Sequence, residues 1–521
     1  MGKLSFSQII VVLTVVTASL LQLIDSSIVN VALTQMMGNL GASFEDIGWV
    51  VTGYAVSNVI MITMSGWMSA RFGRKYYFAF SIILFTVASI LCGLSDNVWE
   101  LVFFRVIQGI GGGGLLSTSQ AILVETFPKE DLSMATAIYG VAVVMGPAAG
   151  PTLGGYITDN FNWQWIFYIN IPFGIIATIM TLIYIKEPKD KAKAASMDWF
   201  AFINLVLAIG CLQIVLEKGQ EEDWFATRYI TVLTIVAVVS AVLFVWRVLT
   251  VKEPIVNLRL FKISSFGVGT LFNFIFGFGL YGTTFLVPIF CQGLLGLTAQ
   301  QTGLVMLPGS LATAVAMPIV GFALKKRWVP STIYAGIGMA MFGLFSYKMS
   351  VLNSGVDGGS FFWPLLIRGL GMGLIFIPLT TISLSDLEGS EIPQGTSLLN
   401  MMRQLGGSIG IAAITTFISV RSAAHYLHLS EDVTTYSSTT MDRVRMFSQG
   451  FMAKGFDAIT ATKTAYAMLF RLINQQATML TYRDIFVLLG VFFMAIIPLL
   501  LIFKKDKIPT EGEDHMEMAM E

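Results

Sequence analysis

Histidine and cysteine each occur only three times in 521 residues, and charged side chains make up just 12% of the chain. His425, His428 and His515 all fall outside the apolar runs, and neither a Walker loop nor an HExxH pair occurs. ATP-driven transport and membrane catalysis thus lack their chemistry, so neither an enzyme nor a bound metal or other cofactor is expected. Cys92, Cys211 and Cys291 lie singly in separate runs, which gives no disulfide framework and no ligand spacing; they read as small buried hydrophobes. Net charge is zero, and no nucleic-acid partner is expected.

Apolar side chains dominate instead. They form 55% of the sequence, with a mean hydropathy of +0.74, whereas soluble domains carry charge at about 25% of positions. The lipid bilayer is the expected solvent. A helix needs about 20 apolar residues to cross it, and fourteen such runs can be counted: 9–33, 47–70, 76–94, 99–125, 132–157, 165–185, 199–216, 229–249, 266–291, 302–324, 331–350, 361–384, 394–420 and 485–503. The first is too long for a signal peptide.

Sorting of the basic residues predicts the topology. With the N-terminus inside, Lys3, Arg71/Arg74/Lys75, Lys129, the Lys186 to Lys193 stretch, Arg247 to Lys262, Lys325/Lys326/Arg327 and Lys504/Lys505/Lys507 all face the cytoplasm, and both termini lie there. Internal echoes then divide the chain. FFRVIQGIGGGG (Phe103 to Gly114) returns weakly as LLIRGLGMG (Leu365 to Gly373), and GWMSARFGRK (Gly66 to Lys75) as GFALKKRW (Gly321 to Trp328). The expectation is an all-α membrane protein: a six-helix bundle over 1–190, a linker with two extra helices over 191–254, a second six-helix bundle over 255–504 that includes an extracytoplasmic segment 421–480, and a cytoplasmic acidic tail 505–521.

Six stretches carry a more specific resemblance: LIDSSIVNVAL (Leu23 to Leu33), GWMSARFGRK, RVIQGIGGG (Arg105 to Gly113), GVAVVMGPAAGPTLGG (Gly140 to Gly155), WQWIFYINIPFG (Trp163 to Gly174) and LLNMMRQLGGSIG (Leu398 to Gly410). Together they resemble the fourteen-helix drug:proton antiporter group of the major facilitator superfamily, of EmrB/QacA type. The resemblance implies two six-helix bundles plus two extra helices, and export of hydrophobic drugs or toxic compounds across the bacterial inner membrane, with protons as the coupling ion. It also implies a periplasmic adaptor of EmrA type leading to an outer-membrane channel. One position departs from the pattern: Ala70 stands where the loop motif has an acid. A channel, or a transporter dedicated to one metabolite or lipid-like molecule, stays open as the alternative.

Site residues follow from burial and spacing. Asp25 is the one acid near the middle of a run, about 12 Å from the outer end, and Arg105 lies about 9 Å from the same face, so the two match in depth. Burial favours a protonated carboxyl and a neighbouring guanidinium favours a carboxylate, so relative movement would load and release a proton. Gly146, Gly150 and Gly154 share one helix face and Pro147 and Pro151 the next, which reads as a kinked, close-packing surface; with Gly140 and Gly155 the resemblance makes it a gating surface. Gly66, Arg71, Gly73 and Arg74 are the loop-motif gating residues, or else serve topology alone. Asn30, Gln108, Asn273, Arg368, Asn400, Arg403 and Gln404 are candidate substrate contacts, with the arginines alternatively bonded within the protein. The absence of acid from Pro254 to Val356 predicts a preference for neutral or weakly acidic compounds over dications. Outside the membrane, the stretch from Asp457 to Leu480 reads as an amphipathic helix, either lying on the outer leaflet or docking the adaptor.

Overall fold

A computed structural model describes residues 6–502 except 129–130, 188–195, 327–328, 354, 356–357 and 390. Lys3, Lys129, most of the basic linker, Arg327, and the acidic tail with Lys504, Lys505 and Lys507 lie outside the described residues. In chain order the helices are α1 Phe6–Leu40, α2 Phe44–Phe72, α3 Arg74–Gly93, α4 Val98–Thr126, α5 Leu132–Asn160, the short α6 Trp165–Tyr168, α7 Asn170–Tyr184, α8 Trp199–Lys218, α9 Arg228–Thr250, α10 Ser264–Ile289, α11 Ala299–Lys325, α12 Ser331–Ser350, α13 Phe362–Ser385, α14 Glu391–Ser430, α15 Ser438–Ala453 and α16 Ala458–Ile496. No strand occurs among the described residues. Short polar side chains open several helices: Ser43, Asn97, Asp198 and Asp457 each accept a first-turn backbone N–H.

Among the described residues, twelve spans are long and apolar enough to cross a membrane, α6 and α7 counting as one. The two limbs of α5, bent by 44° at Pro147, make a thirteenth. Helix α12 has 20 residues and falls short in hydropathy alone; it packs between α13 and α16. Helices α1 to α7 pack on one another, as do α10 to α14 with α16, and the groups meet mainly along α2/α14 and α5/α11. Helices α8 and α9 pair, with α8 seated against α2 and α14. Along α9, Val232, Ile235, Val238, Val242 and Trp246 are exposed, an apolar wall compatible with contact to lipid.

The structure corrects the sequence reading at the end of the chain. No glycine or proline interrupts residues 458–489, and α16 runs unbroken from Ala458 into the expected membrane helix, to Ile496. The fall in hydropathy marked the edge of the membrane, not the end of the helix. The amphipathic stretch therefore does not lie along the membrane surface. Its Ala465 and Leu469 pack against Val444 of α15 in a small separate core. Helix α14 likewise continues to Ser430, where Arg421 and His425 both reach Asp484 of α16, at 2.8 and 2.9 Å.

Candidate functional site

Asp25 and Arg105 are 0% and 1% exposed, and Arg105 Nη1 donates to Asp25 Oδ2 at 2.6 Å. The matching depths read from the sequence thus correspond to a direct contact. The same nitrogen donates to Gln108 Oε1 at 2.6 Å, and the guanidinium lies 4.0 Å over the Tyr54 ring. Asp25 Oδ1 accepts from Gln108 Nε2 at 2.8 Å and from Asn170 Nδ2 at 2.9 Å, and both amides also donate to Ser89 Oγ. A buried carboxylate is costly unless paired and hydrogen-bonded, and here both conditions hold. Gly111 of α4 lets α3, which carries Ser89, come close: a Cβ there would stand 2.6 Å from the Phe85 backbone nitrogen. Gln108 belongs to this cluster and not to the cavity. Asn170 was missed as a site residue, although it stands inside the quoted WQWIFYINIPFG stretch; an amide ahead of a proline carried no spacing signal.

The glycine face of α5 packs on the turn of α1 that bears Asp25. A Cβ at Gly146 would stand 2.6 Å from Leu23 Cβ, one at Gly150 would run into Ser27 and come 3.0 Å from the Ile28 backbone nitrogen, and one at Gly154 would meet the Ile28 carbonyl at 3.0 Å. Gly155 is buried, and Gly140 lies instead against Phe376 and Met317 of the other helix group. Pro147 and Pro151 line a cavity.

That cavity, of about 610 Å³, lies between the halves of α1, α2, α10 and α14 nearer Gly41, with α8 closing one side. Asn30 and Gln404 line it, as do Asn58 and Gln292. Gln22 Oε1, Tyr54 OH and Asn58 Nδ2 are buried at its wall without a protein hydrogen-bond partner. The other candidates are elsewhere. Arg368 donates to Thr283 and Thr284 at 2.9 and 2.7 Å. Arg403 is held by Asn400 and Asn273, at 3.0 and 2.9 Å, with Phe376 beneath it; Asn400 in turn donates to Gln120 of α4 at 2.6 Å. Neither of these arginines lines the cavity, and among the described residues the one carboxylate that does is Glu217. The buried arginines thus bring no positive charge to the cavity, which instead carries a carboxylate. Glu217 was missed because, next to Lys218 at the end of an apolar run, it reads as part of an ordinary interfacial charge pair.

A model of the Major Facilitator Superfamily matches residues 15–411. The chain belongs to the major facilitator superfamily. As a member it is a multi-pass membrane transporter and not an enzyme. It is 37% identical over 443 residues to the multidrug export protein EmrB of Escherichia coli, covering 85% of each chain. To the fatty acid resistance protein FarB of Neisseria gonorrhoeae it is 32% identical, covering 95% of this chain and 96% of that protein. The human organic anion transporter MFSD10 shares the fold, with a TM-score of 0.56 at 13% identity over 93% of this chain and 99% of that one.

At the end opposite Gly41, the two groups of helices of this major facilitator chain touch. Ser65 and Ser397 hydroxyls are 2.8 Å apart, Ser133 donates to the Gly321 carbonyl at 3.0 Å, and Lys325 pairs with Asp131. A Cβ at Gly66 would stand 2.9 Å from the Pro393 carbonyl, so this glycine permits the closure. Arg71 is exposed. Arg74 is buried and pairs with Glu125 of α4, inside its own group of helices. Gly73, at φ +89°, forms the tight link between α2 and α3. Ala70 leaves the motif without its acid, but Glu187 reaches the same loop from beyond α7 and accepts from the Lys75 backbone N–H at 2.8 Å.

Proposed function

We propose that this transporter exports hydrophobic drugs or other toxic small molecules across the bacterial inner membrane in exchange for protons, with both termini cytoplasmic. One observation carries the reading: a single turn of α1 holds Asp25 in the Arg105 cluster and presents Gln22, Ser26 and Ser27 to the cavity. Protonating Asp25 would weaken its hold on Arg105 and release α1 from α4, and any shift of α1 reshapes the cavity wall. Export by EmrB of Escherichia coli, which this chain resembles over most of its length, supports the same direction of transport.

In this reading the cavity faces outward, because the Gly41 end is the outer one and the contacts among Ser65, Ser397, Ser133 and Gly321 close the cytoplasmic end. Gly66, Gly140 and the Gly146 to Gly155 face are the gating surfaces. The bundles are divided at 1–190 and 255–504, with 191–254 between. No cofactor is required; protons couple transport. Residues 421–480 rise above the outer leaflet and would dock a periplasmic adaptor of EmrA type that leads to an outer-membrane channel.

The test is dye movement in proteoliposomes under an imposed proton gradient. Gradient-dependent movement that an uncoupler abolishes supports antiport. Passive flux indifferent to the gradient would point to a channel.

A further inference from the structure

Glu217 ends α8, a helix outside the two groups that carry the Asp25 cluster and the gate. It is the only carboxylate lining the cavity among the described residues, and no lysine or arginine lines it. Its neighbour Lys218 turns to Glu221, at 2.7 Å, and Glu217 makes no ion pair of its own among the described residues. The carboxylate is nonetheless positioned. Its Oε1 accepts from Gln213 Nε2 at 3.0 Å, and the same amide donates to Ser408 Oγ of α14 at 2.9 Å, tying α8 to the adjacent α14 wall of the cavity. Tyr281 and Phe285 add aromatic faces to the same cavity.

We propose that Glu217 is the charge-recognition residue of the substrate cavity and selects amphipathic solutes carrying one positive charge. The proposal rests on the efflux reading and names the substrate class of that site. A fixed carboxylate in a largely apolar cavity is stabilised by a cationic ligand that takes the place of lost water. Aromatic faces add cation–π attraction for a diffuse cation. A dication would leave its second charge uncompensated, because Asp25 lies outside the cavity and is already paired with Arg105. The extra helix pair, in this view, supplies the selectivity that the twelve-helix core lacks.

The experiment compares binding of tetraphenylphosphonium, a bulky monocation, with that of neutral triphenylphosphine oxide, by calorimetry on the detergent-purified full chain. Glu217→Gln should weaken tetraphenylphosphonium binding by about tenfold or more, the factor for removing one charge-assisted contact, and leave the neutral solute within about twofold. Glu217→Asp, which keeps the charge, should retain most of the discrimination. Unchanged tetraphenylphosphonium affinity in Glu217→Gln, or an equal loss for both solutes, overturns the proposal. A parent chain that shows this discrimination but moves neither solute under a proton gradient would remove the efflux reading and leave the recognition site standing.

Discussion

Arg105 of α4 grips Asp25 of α1 at 2.6 Å in a pocket closed to solvent, while the opposite side of the same α1 turn forms the wall of the cavity. A charge change at Asp25 therefore acts one helix diameter from the cavity, without a long relay.

Asp25→Asn keeps size and hydrogen-bonding capacity but fixes the site uncharged. Uphill efflux should fall to background, and downhill exchange of substrate should survive. Asp25→Glu should keep partial activity. Substrate-induced proton release is the deciding measurement: parent-like release from Asp25→Asn would assign coupling to another acid.

Asn170 positions Asp25 through a 2.9 Å hydrogen bond. Asn170→Leu removes one hydrogen bond to the Asp25 carboxylate and should lower substrate-induced proton release, with substrate affinity little changed. Equal loss of binding and proton release would reduce Asn170 to a packing residue.

Gly150→Leu drives a side chain into Ser27 and the Ile28 backbone. Transport should fall to background and stability by about 1–3 kcal/mol, as for overpacking elsewhere. Gly38→Ala, where the added Cβ meets nothing within 4 Å, is the control and should transport normally. Wild-type efflux from Gly150→Leu would show that close packing of α5 on α1 is dispensable.

Asp198 caps α8 and pairs with Arg247 of α9 at 2.7 Å. Partial burial works against its ionised form, but the Ala201 N–H and the Arg247 guanidinium outweigh it and hold the carboxyl below its ordinary value of 3.8. A depressed folded-state value means stability that is present above the ordinary value and lost as pH falls through the folded one. Asp198→Ala should thus cost about 1 kcal/mol at neutral pH in thermal unfolding. The gap between parent and variant should close below pH 3.8. A gap that stays constant into strong acid would show that the ionised carboxylate contributes nothing.

Phe456 and Ile459 flank the turn into α16 and are 45% and 71% exposed. Replacing both with Glu should alter folding stability by less than about 1 kcal/mol, since exposed sites tolerate change. Capture of the co-expressed adaptor in a pull-down should drop sharply. Full-strength capture would move the docking surface elsewhere.

Long runs of apolar residues located the membrane-length helices, because the cost of leaving backbone or charge in lipid acts on every residue along the helix axis. Axial distance is also legible, at about 1.5 Å per residue, which is how Asp25 and Arg105 could be matched across 80 positions of sequence. The glycines and prolines of α5 signalled a kink by their own backbone chemistry, and the bend is there.

What the sequence could not convey was rotation about each helix axis. Helices that face lipid on one side and protein on the other are apolar all round, so no amphipathic stripe tells which side turns inward. Only tertiary packing decided that Arg368 and Arg403 spend their charge on Thr283, Asn273 and Asn400, that Asn170 turns to Asp25, and that Glu217 brings a carboxylate to the cavity. The same limit hid the continuity of α16: lipid marks where a helix leaves the membrane, and only contacts with α15 and α14 decide where it goes next.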